Sequence, residues 1–364
     1  MKANEIISYL NEWAPLAYQE SYDNAGLIIG NGDQEVSGII ITLDVTPEVL
    51  EEAKKRKCNF ILTHHPPVFK PVRSINPASF PGNIIYQAIN NKQLIFALHT
   101  NVDNTHDGMN HNICQIIGLR ETRILKPLPN QLAKLVTFCP VKFAAAVREA
   151  LFQAGAGKLG EYDSCSFNAE GFGTFRALEK AQPYVGKKNI IHQEPELKIE
   201  TIFPVHHQQE IIRALKKTHP YEEVAFDIIP LLNTFREAGS GMIGTLTKPM
   251  SAKTFLKQIR KKFQIPCLKY SGDDMKTIRT VAVCGGAGSF LIPEAISHKA
   301  DVFLTGDMKY HDFFDTPQNL LLIDFGHYES EQTVKSLLFN QLHKKFPTFA
   351  ILISETNTNP VKYI

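Results

Sequence analysis

The chain has almost no charge imbalance: 39 Lys and Arg against 37 Asp and Glu leave a formal net charge of +2 with histidine neutral. That balance gives no broad electrostatic attraction for nucleic acid or for an anionic membrane. No apolar stretch approaches the roughly 20 residues that a membrane span needs. The six cysteines (Cys58, Cys114, Cys139, Cys165, Cys267 and Cys284) are scattered without a CxxC pair, which speaks against a zinc knuckle or a thioredoxin-type site. There is no fixed-period repeat and no low-complexity segment. The opening MKANEIISYLNEWAPL lacks the continuous apolar region of a signal peptide, and its Ile6, Ile7, Leu10 and Trp13 fit one helical face instead. A reducing cytoplasm is the location these absences lead us to expect.

What is present is an ordinary soluble composition, 43% hydrophobic and 21% charged, in 364 residues. That length suits two domains at roughly 150 residues each. The first third alternates apolar runs with helical patterns. GIIITL (38–43), FILT (60–63) and LIFAL (94–98) are separated by the capped helix TPEVLEEAKKRK and a helix near NIIYQAINNK. Continuous apolar strands joined by helices imply a parallel sheet covered on both faces. The rhythm returns in TVAVC (280–284), DVFLT (301–305) and NLLLID (319–324), with helices in SFLIPEAISHK and SEQTVKSLLFNQLHKKF. We expect the two stretches to build one sheet.

Between them the pattern changes. AKLVTFCP (133–140), the helix VKFAAAVREALFQAG, KIETIFPV (198–205), the helix HHQQEIIRALKKTH and the strand VAFDIIPLL follow one another. YDSCSF and GTFRAL suggest a hairpin turning at NAEGFG. We read the order as β-α-β-β-α-β, that of a ferredoxin-like domain. The expected organisation is an α/β domain with a mainly parallel sheet, residues 1–126 and 236–364, interrupted by an α+β insert at 127–235.

Polar residues that follow the apolar runs carry the chemistry. Asp44 follows GIIITL, His64 and His65 follow FILT, His99 and Asp103 follow LIFAL, Asp307 follows DVFLT, and NLLLID runs into His327 and Glu331. Ligands of open α/β sheets bind outside the carboxyl ends of the strands, so these groups are directed to one rim. His327 and Glu331 are four residues apart, the spacing of one helical face. His64, His65, Asp103, His327 and Glu331 form an N/O donor set suited to Zn²⁺, Mn²⁺ or Fe²⁺. Five ligands exceed one tetrahedral site, and a bridging carboxylate between two ions would use them all. Successive side chains of a strand leave on opposite faces, so the His-His doublet suits two different ions.

Plainer readings stand beside this one. The doublet is also compatible with satisfied or exposed histidines, Asp103 with a turn or cap, and Glu331 with the dipole at a helix start. Asp44, His99, Asp307 and His311 either orient the ligands or serve as turn residues. In GGAGS, the amides of Gly285, Gly286 and Gly288 either hold a phosphate or make a close strand-to-helix turn. His206 and His207 read as capped or solvated side chains at a helix start, and His106, His111, His192, His298 and His343 as structural.

SYDNAGLIIG, LDVTPEVLEEA, ILTHHPPVFKP, LHTNVDN, CGGAGSF, DVFLTGDMKYHD and GHYESE, in this order, give the chain a resemblance to the Nif-three-like family. Its bacterial members carry the name GTP cyclohydrolase I type 2 homologue. The resemblance implies a dinuclear site with His64, His65, Asp103, His327 and Glu331 as ligands and Glu331 bridging. It implies two divalent ions per subunit, zinc first, with manganese or iron as alternatives. LFQAGAGKLGEYDSCSF, GFGTFRAL and HPYEEVAFDIIPL resemble the insert of longer members, similar in fold to PII and CutA proteins. A toroidal homohexamer and a small-molecule, nucleotide-like substrate follow by the same analogy. The activity so implied is metal-dependent hydrolysis, with GTP ring opening suggested by the name. Phosphoester hydrolysis and a metal-binding regulatory or scaffold role, in which the insert gates access or recruits partners, are the alternatives.

Overall fold

The run GIIITL contributes a four-residue strand, Ile39–Thr42, in which every residue is buried. Its alternate side chains enter two different cores. Ile39 and Ile41 join Phe60, Leu62, Leu94 and Phe96 on one face, while Ile40 joins Ile61 and Ile95 on the other. Two helices cover that second face. Pro47–Lys55 starts at Thr46, whose side chain accepts from the Val49 amide, and Phe80–Asn90 starts at Ser79, which accepts from Gly82. Their Val49, Leu50, Ala53, Ile84 and Ala88 pack on the strands.

A computed structural model describes residues 1–364. Its strands are β1 (Gly26–Ile29), β2 (Ile39–Thr42), β3 (Phe60–Thr63), β4 (Leu94–Ala97), β5 (Leu119–Pro127), β6 (Leu132–Pro140), β7 (Phe167–Arg176) and β8 (Ile191–Pro204). The remaining ones are β9 (Phe226–Leu231), β10 (Gly239–Ser251), β11 (Lys269–Ser271), β12 (Thr277–Ala287), β13 (Val302–Gly306), β14 (Leu321–Asp324) and β15 (Ile351–Ile353). The chain divides into two units, one of Met1–Pro127 with Arg236–Ile364 and one of Leu128–Phe235. No helix is long and apolar enough to cross a membrane.

The first unit holds two sheets where the strand pattern led us to expect one. The first runs β1-β4-β3-β2-β15, parallel from β4 to β15 with β1 antiparallel at its edge. The second runs β11-β14-β13-β12-β10-β5, in which β12, β13 and β14 are parallel and the others antiparallel. The reason is edge closure: each parallel trio is flanked by additional strands that the apolar-run pattern did not mark. Long β10 and β5 occupy the edge of β12 at which the trios would have joined, and a free edge is a liability that pairing removes. The sheets nevertheless share a core, in which Ile41, Leu62 and Phe96 of one meet Val281, Val283, Leu304 and Ile323 of the other. Helix Ala3–Trp13 adds Ala3, Ile6 and Leu10 to it.

In the second unit β6, helix Ala144–Gln153, β7, β8, helix Gln208–Thr218 and β9 follow the β-α-β-β-α-β order. The sheet runs β7-β8-β6-β9, antiparallel throughout. The hairpin expected at NAEGFG does not form. Those residues lie inside β7, which pairs with β8 continuously from Phe167↔Glu200 to Arg176↔Ile191. The glycines misled the reading because one of them serves packing: a Cβ on Gly173 would lie 2.1 Å from Glu196 Oε2. Leu135, Val147, Leu151, Ile199, Phe203, Ile211 and Leu215 form this unit's own core.

Glu52 fastens the segment after β15 to helix Pro47–Lys55. Its carboxylate accepts from the hydroxyls of Ser354 (2.6 Å) and Thr356 (2.7 Å), the amides of Glu355 (3.0 Å) and Thr356 (3.2 Å), and Arg56 Nη1 (2.8 Å). Burial opposes its ionisation, but these donors outweigh burial and bring its pKa down to about 2. The charged form is therefore the one the fold favours. Its stabilisation is complete above the ordinary glutamate value of about 4.3 and is lost as pH falls through about 2. Glu52→Gln is expected to lower unfolding free energy by about 1–3 kcal/mol at pH 7. Urea titrations at pH 7 and below pH 3 check this, the gap between variant and wild type narrowing at the acid end.

Candidate metal centre

The carboxyl ends of strands from both sheets meet at one place. β3 ends at Thr63 and delivers His64 and His65, and β4 ends at Ala97 shortly before His99 and the short helix Thr100–Asn104 that carries Asp103. From the second sheet, β13 leads to Asp307 and β14 leads to the one-turn helix His327–Glu331. The four-residue spacing places both termini of that helix on the same side: His327 Nε2 lies 3.0 Å from Glu331 Oε2. Glu331 is only 3% exposed.

Each imidazole here is braced through Nδ1 by an oxygen. His64 Nδ1 donates to the Leu98 carbonyl at 2.8 Å, and the Nδ1 atoms of His65, His99 and His327 stand 2.7 Å from carboxylates of Asp44, Asp23 and Asp307. This fixes the rings and turns every Nε2 inward. The inward atoms fall into overlapping clusters: His64, Asp103 and Glu331; His65, His327 and Glu331; and His64, His65 and His99. Glu331 belongs to the first two, and the adjacent histidines divide between them.

The donor atoms lack what a donor set lacks when only protein surrounds it. His64 Nε2 and Asp103 Oδ1 are buried without a hydrogen-bond partner, while Glu331 Oε2 lies 2.9 Å from His65 Nε2 and 3.0 Å from His327 Nε2. His64 Nε2 points at Asp103 Oδ1 and Glu331 Oε1, each 3.7 Å away. Burial brings the His64 pKa down to about 4, so at neutral pH its Nε2 turns a lone pair toward the Asp103 and Glu331 oxygens. Such an arrangement needs a proton or a cation among the atoms. The residues therefore fit divalent cations of the kind that imidazole and carboxylate bind.

Electrostatics elsewhere in the cluster agree. Burial lowers the basicity of His65 and His327, but Asp44 and Glu331 around the first and Glu331 and Asp307 around the second outweigh it, raising them to about 10 and about 9. Burial and the charge of Glu331 push Asp103 well above the carboxylate range, whereas the surrounding imidazoles overcome burial and hold Glu331 well below it. Asp23 is opposed by burial yet falls to about 2 through His99 and Thr100.

Not every residue singled out from the sequence arrives here. His311 is exposed on helix Tyr310–Asp315, its ring against Tyr310. The amides of Gly285, Gly286 and Gly288 do not form a phosphate cradle, because they donate to Asn110 Oδ1, Ser330 Oγ and Thr305 Oγ1. Their turn is a packing device: Gly286 has φ +61°, and a Cβ there would lie 2.1 Å from Glu331 Oε1. His206 and His207 lie at a helix start in the second unit, their rings tilted at 45° with centroids 4.1 Å apart. Asp23 went unmarked as a site residue because no long apolar run precedes it. Its signals were its place in SYDNAGLIIG and just ahead of the short β1.

Strand ends from two sheets, a shared core and an inward-facing set of imidazoles and carboxylates define a class, an α/β protein with a buried candidate metal centre. The chain belongs to the Duf34/NIF3 (NGG1p interacting factor 3) family, whose sequence pattern matches residues 1–360. It is similar to the Bacillus subtilis GTP cyclohydrolase 1 type 2 homolog, 34% identical over 100% of this chain and 99% of the relative. The protein of the same name from Halalkalibacterium halodurans is 36% identical over 99% and 98%. Among solved structures, a Bacillus cereus protein related to NIF3 matches with a TM-score of 0.86 and 35% identity, covering 100% of this chain and 99% of that one. A Staphylococcus aureus protein matches at 0.79 and 30%, with the same coverage.

Two expectations follow from the geometry. Gly286→Ala forces a left-handed backbone onto alanine and drives a methyl into Glu331. It should cost about 1–3 kcal/mol of stability and lower the bound metal measured by elemental analysis. Protons on His65 and His327 compete with a cation until pH approaches 9 to 10. Apparent Zn²⁺ affinity is therefore expected to rise with pH between about 6 and 9, with proton release on titration in weak buffer as the readout.

Proposed function

We propose that the protein holds two divalent cations, zinc first, with manganese or iron as alternatives, and hydrolyses a nucleotide-like substrate. In this reading His64, Asp103 and Glu331 hold one ion, and His65, His327 and Glu331 the other. The observation that carries it is the membership of Glu331 in both clusters. Divalent cations held there supply Lewis acidity and, by acidifying water, a nucleophile at neutral pH. The chain's own residues do the rest. Asp44 and Asp307 orient His65 and His327, and buried Glu331 supplies a negative charge common to both clusters. His99, braced by Asp23 and with its ring 5.3 Å from those of His64 and His65, helps to shape the same pocket.

The name of the relatives, GTP cyclohydrolase 1 type 2 homolog, supports GTP as the first nucleotide to try. Phosphoester hydrolysis is equally within reach of a two-metal site. A second reading is favoured by the separate unit Leu128–Phe235, which has its own core: a metal-binding regulatory or scaffold protein whose PII/CutA-like insert gates access or recruits partners. A cytoplasmic, toroidal homohexamer belongs to the same proposal and is tested by light scattering.

The decisive experiment measures bound metal and then screens GTP and generic phosphoesters with Mn²⁺ or Zn²⁺. Turnover is expected in the wild type, with turnover and metal both lost in His65→Ala and Glu331→Ala. Asp307→Asn should weaken metal affinity by about 10–100-fold while leaving the ligands in place. Metal without turnover across the panel would transfer the case to the scaffold reading. Absence of metal would end both.

A further inference from the structure

The insert carries a second candidate site, remote in chemistry from the metal cluster. β7, β8 and the segments that flank them enclose a pocket of about 430 Å³. That volume falls within the range of small-molecule sites. Its walls are mainly aromatic and apolar. Tyr221 lies with ring centroids 6.0 Å from Phe175 and 6.3 Å from Tyr184, and Tyr184 is 42% exposed, so ring faces remain open to a ligand.

Into this pocket the protein places a carboxylate. Glu196 is 7% exposed and lines the cavity. Its Oε1 accepts from the Tyr221 hydroxyl at 2.7 Å. Burial and the adjacent carboxylate raise the Tyr221 pKa, so the phenol stays neutral and donates. Nearby cations are engaged elsewhere: Lys134 and Lys198 pair with Glu200, and His192 with Glu194. Gly173 gives Glu196 its room, since a Cβ there would meet Oε2 at 2.1 Å. Glu222 and Glu223 line the same pocket against Arg176, with Lys142 over the Tyr184 ring as the other nearby cation.

A buried carboxylate beside open aromatic faces, in a pocket with an excess of negative groups, selects positive charge. The faces attract it through their quadrupoles, and the carboxylate supplies the counter-charge. The fold already shows the attraction, with Lys142 Nζ 5.0 Å from the Tyr184 ring centroid and 5.1 Å from that of Phe143. We infer that this pocket binds a small organic ammonium ion, its cationic head between the rings of Phe175, Tyr184 and Tyr221 and against Glu196. The inference does not rest on the metal-dependent reading, because no residue of that cluster takes part.

Calorimetric titration of the full chain tests it, with choline and butylamine as cationic probes and 3,3-dimethylbutan-1-ol as the neutral isostere of choline. At least one ammonium is expected to bind saturably and at least about tenfold more tightly than the alcohol. Glu196→Gln should weaken that binding at least about tenfold. Gly173→Ala, which displaces the carboxylate without altering it, should do the same, with unchanged thermal unfolding showing that the fold is kept. Equal binding of the alcohol, undiminished binding by Glu196→Gln, or no saturation by either ammonium up to 10 mM (roughly 2.7 kcal/mol of binding free energy, on the affinity scale) would each overturn the assignment.

Discussion

The site depends on a short contact repeated around a ring of histidines: Nδ1 held by an oxygen, Nε2 turned inward. His64, His65, His99 and His327 all obey it, with acceptors from Leu98, Asp44, Asp23 and Asp307. Without those acceptors each ring could rotate and satisfy either nitrogen outside the cluster. With them, ring nitrogens and carboxylate oxygens are gathered in a place where water competes little. The surrounding strands and their shared core hold the backbone ends in position.

Placement of the braces explains the architecture. They come from a loop before β1, from the ends of β2, β4 and β13, and the rings come from the ends of β3, β4 and β14. Parallel strands point their carboxyl ends the same way, so a few short strands bring many polar groups to one edge. The second sheet supplies His327 and Glu331, and the turn at Gly286 lets the Glu331 carboxylate lie against bare backbone. The position of a candidate metal ligand and the backbone conformation are thereby tied together at a residue that has no side chain.

Much of this was legible in the residue order. Short apolar runs marked β2, β3, β4, β12, β13 and β14 because both faces of each are buried, and the polar groups after them are those that gather at the cluster. Partly exposed strands left weaker marks. β1, β5, β10, β11 and β15 were missed, and with them the division into two sheets, since edge pairing is decided by tertiary contacts rather than by period. The glycines of NAEGFG read as a turn because a glycine needed to accommodate the Glu196 side chain looks, in sequence, like one needed for a bend. Asp23 was hidden because its role comes from proximity across 76 positions, which no local pattern reports.

His65 and His327 are brought within 3.4 Å across 262 positions, and β15 closes the first sheet later still. During translation, then, the ribosome releases both histidines of the doublet long before their counterparts from the far end exist. A nascent chain carries half of the candidate donor set, while the intervening unit already has every residue of its own core. The full set of donors is accordingly assembled late in the life of each molecule, once Glu331 has been made.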